Sequence, residues 1–355
     1  MSESTDVVVV GGGPAGSSAA ITCAAAGLRV TLLDRAVFPR EAPGETLHPG
    51  VEPLLRRLGV ADEVLGAGFL RHTGNWVRWD GDLRFSPFGH DDDGPWRGFQ
   101  AWRATFDDLL LARARGLGVR IHQDCPARRA SLDAGRVVGV ETEAGDHRAA
   151  FTVDATGRGR WLSRQVGLRV GRFSPRLIAR YGYVTGSCPG RDDAPAIVAE
   201  PGGWVWTARV RPGLYQWTRL AFGDDRPDPD WLPEEYRGLG RVGPARAADV
   251  GWRAADEPAG PGYYLTGDAA SVLDPASSHG VLKALMSGMM AGHLIARVVR
   301  RPATEPEAAA AYRSWLLDGF RHDLSALRSL YSTHPGAPDR VLRGSRVGRT
   351  AGPSG

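Results

Sequence analysis

Three glycines and one acid carry the strongest chemical signal in this chain of 355 residues. Gly11, Gly13 and Gly16 have the spacing G-x-G-x-x-G, and Asp34 lies eighteen residues beyond Gly16. The first glycine permits a tight turn. The second lets a diphosphate approach the backbone, and the third lets a helix pack closely on a strand. Pro14 and Ala15 sit where the helix begins, and its free N–H groups and positive dipole end suit an anion. Asp34, with Arg35 after it, is placed to accept hydrogen bonds from a ribose 2′-OH. This is the pattern of a dinucleotide site. By itself it does not separate NAD from FAD.

The elements that position these residues are legible. Val7 to Val10 form a continuous β-branched run, as in a strand buried on both faces. An Ala-rich helix follows the glycines, and Arg29 to Leu33 form the second strand. The next stretch, Pro39 to Gly50, holds three prolines and two glycines and excludes a regular element. Long loops of this kind are usually functional or disordered. A short amphipathic helix carries Val51, Leu54, Leu55 and Leu58 on one face.

Further along, Asn75 to Phe85 reads as a hairpin turning at Asp80-Gly81, and Ala104 to Gly116 as a helix preceded by Arg103. Val119–His122 is the next strand. Ala127–Leu132, Arg136–Thr142 and Arg148–Asp154 read as a three-stranded meander. Strands then dominate: Leu177–Thr185, Ile197–Glu200, Trp204–Val210, Leu214–Phe222 and Asp249–Arg253, with a polar, Pro-rich loop over Asp224–Pro233. Trp204 and Trp206 share one strand face, as core or pocket wall. Gly280–Arg300 and Thr304–Tyr331 read as long helices, the second opened by a Thr304/Glu307 capping box. From His334 onward Pro, Gly, Ser and Arg dominate, the composition of a disordered basic tail.

The totals exclude several classes. The net charge of +4 is modest, and no aromatic-basic pattern argues for nucleic acid. Lys283 is the sole lysine among 44 basic residues. Cys23, Cys125 and Cys188 are far apart without C-x-x-C, so neither a disulfide framework nor a metal site is expected. The first strand begins within a few residues of the N-terminus, no apolar run reaches spanning length, and a cytoplasmic location is expected.

A second cluster of motifs lies near the other end: Leu265-Thr-Gly267-Asp268-Ala-Ala270, Asp274-Pro275 and Ser277-Ser278-His279-Gly280-Val281. Asp268 after Gly267 can accept hydrogen bonds from ligand hydroxyls. The free N–H groups of Ser278 to Val281 sit at a helix start, where they stabilise negative charge. Arg103 can pair with a diphosphate or hold the loop over it. With the dinucleotide turn, these motifs resemble the superfamily of FAD-dependent aromatic monooxygenases and flavin-dependent halogenases. The resemblance implies an α/β fold: a doubly wound Rossmann-type FAD domain, an inserted mostly antiparallel β-sheet substrate domain, and C-terminal helices. The boundaries expected are 1–169 for the first part of the FAD domain, 170–255 for the substrate sheet, 256–333 for the return to the FAD domain, and 334–355 for the tail.

The same resemblance implies FAD as cofactor, O2 as co-substrate, and NAD(P)H or a separate flavin reductase as the source of electrons. A second Gly-rich turn for a resident nicotinamide is absent. Pro43 to Gly50 and Asp274 to Val281 look closest to flavoproteins that hydroxylate a tryptophan of a partner polypeptide during quinone-cofactor maturation. Halogenases place a catalytic Lys at the start of the strand that here reads Arg71-His72-Thr73-Gly74, and this chain has no amine there. The expected activity is therefore hydroxylation of an aromatic ring through a flavin C4a-hydroperoxide, the ring being free, peptide-borne or carrier-bound. Halogenation, isoprenoid reduction and non-catalytic flavin binding are the alternatives. Proton management is expected from Glu45, His48 and His279, on the two loops near the flavin.

Overall fold

The computed structural model describes residues 5–223 and 230–342. Val7–Val10 is the centre of a six-stranded sheet. It pairs in parallel with Val30–Leu33 on one side and Phe151–Asp154 on the other. Arg120–His122 and Tyr263–Leu265 extend the sheet in parallel, and Ala259–Gly260 closes one edge antiparallel. The four valines are almost wholly buried: Val7 and Val9 face the covering helices, and Val8 and Val10 face the antiparallel meander through Val140. Pro14–Ala25 and Gly280–Arg300 pack on each other closely. A Cβ on Gly288 would meet the Ala15 carbonyl oxygen at 2.1 Å, and one on Gly292 would meet Thr22 Cβ at 2.7 Å. Gly280–Arg300 is long and apolar enough to cross a membrane by length and composition, against the expectation of no such run. Half of its most apolar window is buried in this packing.

The second layer is a seven-stranded sheet built on Ile178–Thr185, Ala196–Glu200, Gly203–Arg211 and Leu214–Ala221, mostly antiparallel as expected. One foreseen hairpin joins it unexpectedly, and one of its strands was unforeseen. The hairpin Gly74–Arg78 with Arg84–Pro87 joins its edge, Trp76 opposite Ala196, although it lies within the first 169 residues. Gly240–Asp249 forms the other edge along Ile178–Thr185. Its first eight residues are exposed, so no alternation marks it. Asp249–Arg253 is therefore not one strand: Asp249 ends this strand, and Arg253–Ala255 pairs with Val170–Arg172.

Other expectations need correction. The meander closes with Gly145–Arg148, and Phe151–Asp154 crosses instead into the parallel sheet. Its four buried residues are the signature of a strand covered on both faces. Thr304 makes no side-chain cap to its helix; its hydroxyl donates to the Arg301 carbonyl. Glu305, not Glu307, ties the helix start to Arg136 and to the Gly262 N–H, each at 2.7–2.9 Å. The tail is not disordered from 334. His334 is buried, its Nε2 donates to the Gly203 carbonyl at 2.7 Å, and Asp339–Leu342 is helical. Residues 343–355, and 224–229 of the polar loop, lie outside the described residues.

Candidate active site

A cleft of about 1170 Å³ runs from the glycine turn to the wall of the seven-stranded sheet. Gly11, Gly13, Pro14, Ala15, Asp34, Arg35, Glu45, Arg103, Gly267, Asp268, Pro275, Ser278, Gly280 and Val281 all line it, from both ends of the chain. Tyr181, Trp206, Gln216 and Thr218 of the substrate sheet close its far side. Trp204, by contrast, is core, its indole N–H donating to the Tyr331 hydroxyl at 2.7 Å. Gly16 lies behind the turn, where an added Cβ would sit 1.8 Å from the Gly11 carbonyl oxygen. Gly11 takes φ +107°, which favours glycine. A Cβ on Gly13 would meet only the Arg40 guanidinium, at 3.3 Å, and would otherwise occupy the open cradle of the turn.

Asp34 is buried at the end of its strand. It accepts the Gly12 N–H at 2.6 Å and the Ala36 N–H at 2.8 Å, so its carboxylate is fixed toward the turn. Opposite, the Gly280–Arg300 helix begins at the cleft without a side-chain cap, leaving its first N–H groups free to face an anion. Asp268 lies beside it. Burial raises its carboxyl, and Arg158, Arg253 and Arg103 oppose that rise. A diphosphate at the glycine turn, ribose at Asp34, ribityl hydroxyls at Asp268 and an anionic ring edge at the helix start match the residues present. The site therefore fits FAD.

Arg103 is held as a strut. It is 8% exposed and forks onto Asp107 at 2.9 and 3.0 Å, with its third arm donating to the Pro43 carbonyl at 2.7 Å. Arg103 thus ties down the loop that carries Glu45. The sequence held a sign of this pairing, an acid four residues along the helix, which its reading passed over. Glu45 is 2% exposed and accepts from the Tyr183 hydroxyl of the substrate sheet and from the Gly44 N–H at 2.9 Å. Burial raises its carboxyl, with the Tyr183 bond opposing. No sequence pattern marks Tyr183 as its partner.

His48 and His279 come together, ring centroids 4.9 Å apart, but neither lines the cleft. The Gly50 N–H donates to His48 Nδ1 at 3.0 Å, which leaves that nitrogen unprotonated. Burial lowers both rings, His279 to about 4. Asp274, which does line the cleft, reads in the sequence only as part of a turn. It accepts from Trp252 Nε1 at 2.7 Å, the Tyr331 hydroxyl at 3.0 Å and the Ala276 N–H at 3.0 Å. Burial raises it to about 6.

These two groups bend the stability–pH curve in opposite senses. The folded value of Asp274 lies above its ordinary 3.8, so its contribution is full below about pH 4 and is lost as pH rises through 6. The folded value of His279 lies below 6.5, so its contribution is full above that pH and is lost as pH falls toward 4. Each amounts to roughly 3 kcal/mol. Urea unfolding from pH 4 to 6.5 is expected to show His279→Gln losing, and Asp274→Asn gaining, stability with pH relative to the unmodified chain. Parallel curves would contradict these assignments.

Comparison with known proteins agrees with the cleft. The model of the FAD dependent oxidoreductase family matches residues 6–176. A tryptophan 2-halogenase of Chondromyces crocatus is 30% identical over 342 residues, 87% of this chain and 63% of that relative. A 1H-pyrrole-2-carbonyl peptidyl-carrier-protein brominase of Pseudoalteromonas luteoviolacea is 29% identical, over 84% of this chain and 78% of the relative. The myxobacterial chondrochloren halogenase CndH superposes with a TM-score of 0.85 and 26% identity, covering 94% of this chain and 83% of that one. The N-terminal part of the chain thus matches the FAD dependent oxidoreductase family, and most of its length is similar to flavin-dependent halogenases. The chain is an enzyme that acts by flavin-dependent oxidation, which sets aside the reading of a non-catalytic flavin-binding partner.

Proposed function

We propose that this enzyme hydroxylates an electron-rich aromatic ring borne by a partner polypeptide or carrier. The observation that carries the choice of oxygen over halogen is the placing of its amines. The segment Arg71 to Gly74, where halogenases are expected to hold a lysine, presents His72. That ring is buried, with Nδ1 bonded to the Gly74 carbonyl at 3.0 Å and Nε2 3.2 Å from Gln100 Nε2. Lys283 is instead on the Gly280–Arg300 helix, ion-paired with Asp323. Closeness to the tryptophan-hydroxylating flavoproteins rests on the loop motifs alone.

FAD, when bound and reduced, supplies electrons and oxygen activation. The chain binds it through the glycine turn, Asp34 and Asp268, and orients the ring substrate against Trp206 and Tyr181. Glu45, raised by burial and bonded to Tyr183, is the group placed to hold a proton at the cleft. His48 and His279 stay neutral and support the helix start. Electrons come from NAD(P)H or a separate flavin reductase.

Halogenation is the second reading. The named relatives favour it, and hydroxylation draws no support from them. Product mass separates the two. With a flavin reductase, NADH, 18O2 and bromide, a set of tryptophan-containing peptides is expected to gain one labelled oxygen. Bromide-dependent gain of bromine would overturn the choice.

A further inference from the structure

Five arginines gather at one rim of the cleft with few acids to pair them. Arg158, Arg160 and Arg164 come from the turn and short helix that follow Asp154. Arg172 ends the strand Val170–Arg172 and lies directly opposite Arg253 in the antiparallel register. Like charges in that arrangement repel. Among the described residues, Arg158, Arg160, Arg164 and Arg172 have no side-chain hydrogen-bond or ion-pair partner. Arg253 is 8% exposed and reaches only the Gly251 carbonyl at 3.1 Å and Asp249 at 3.4–3.5 Å.

Two further features point to an anionic ligand. The Nε atoms of Arg253 and Arg160 are buried and unpartnered. Arg160 also takes φ +49°, a costly conformation for a side chain of that size. Burial, with repulsion from neighbouring arginines, lowers both guanidinium groups, and Asp249 and Asp268 are the acids that face them. A buried, uncompensated cation is costly unless an anion completes it.

We propose that Arg158, Arg160, Arg164, Arg172 and Arg253 form a second anion site, which takes the phosphate groups of a ligand that visits the FAD-loaded enzyme. The glycine turn serves the diphosphate of FAD itself. Arg158 and Arg164 line that cleft at its rim, whereas Arg160, Arg172 and Arg253 do not and extend the cluster beyond it. Two sources share this chemistry. One is a nicotinamide dinucleotide bringing electrons. The other is the phosphopantetheinyl arm of a carrier-bound substrate.

The test is calorimetry and thermal melting of FAD-loaded protein with inorganic pyrophosphate, NADPH and free phosphopantetheine as probes. Pyrophosphate is expected to bind saturably and more weakly as salt rises. Arg160→Gln and Arg172→Gln are each expected to weaken it about tenfold. Both changes should raise the melting temperature of the anion-free protein and leave its FAD content unchanged. A merely structural role would lower that melting temperature. Preference for NADPH or for phosphopantetheine then assigns the source. The proposal is overturned if FAD-loaded protein binds no pyrophosphate, if the variants bind it equally well, or if Arg172→Gln sheds FAD. The exposed Arg172 keeps the test open if Arg160→Gln does not fold. Neither result depends on whether oxygen or halogen is transferred.

Discussion

Gly13→Asp will yield a folded protein that retains no FAD through gel filtration. A Cβ there meets only the flexible end of Arg40, at 3.3 Å, so the backbone can stay in place. The carboxylate would occupy the cradle at the free N-terminus of the Pro14–Ala25 helix, where it takes the dipole's favourable end and repels a diphosphate. The expected loss of affinity is about a thousandfold, on the order of 4 kcal/mol. Gly16→Ala is expected to behave differently. Its Cβ would sit 1.8 Å from the Gly11 carbonyl oxygen, so strand and helix must separate. That variant should lose the cooperative melt itself. Circular dichroism and the flavin absorbance distinguish the pair. Full FAD retention in Gly13→Asp would contradict the placing of the diphosphate.

The second large effect is at Arg103. Removing its guanidinium leaves Asp107, which is wholly buried, with Arg40 at 3.7 Å as its remaining ion-pair partner. It also frees the Pro43 carbonyl. Breaking a buried pair from one side costs about 3–5 kcal/mol. Arg103→Ala is therefore expected to lower stability by that amount and to loosen the Glu45 loop, with weaker FAD binding as a consequence. Arg103→Lys should recover little, because a point charge cannot span both Asp107 oxygens and Pro43. In a double-mutant cycle, Arg103→Ala with Asp107→Ala should cost much less than the sum. Additive losses would mean that the pair is not the source of the effect.

The parts legible in the sequence were local. The glycine turn, its helix, the buried β-branched strand and the Gly280–Arg300 helix are each written in consecutive residues, and so are the motifs that line the cleft. What escaped was non-local. The Gly74–Pro87 hairpin shows its turn clearly, but nothing in it says which sheet will accept its edge. Gly240–Asp249 is exposed along most of its length, so its pairing leaves no hydrophobic period. Arg148–Asp154 was split because burial on both faces, not chain order, decides where Phe151–Asp154 belongs. In the site, Glu45 was expected to act with His48. The fold instead brings Tyr183 to it from 138 residues away and turns His48 toward His279. His334 looked like the start of a loose tail because its partner, the Gly203 carbonyl, carries no side-chain signal.

We propose that the flavin-driven electrophile in this cleft delivers oxygen, because no amine stands where a halogenase needs one. Released oxidant tests it without knowledge of the substrate. FAD-loaded protein would be cycled under air with a flavin reductase, NADH and bromide, and phenol red would serve as the trap. The expected result is hydrogen peroxide at a rate indifferent to bromide, with the dye unbrominated. Bromide-dependent bromination of the dye, lost in Gly13→Asp, would show that the chain oxidises halide after all.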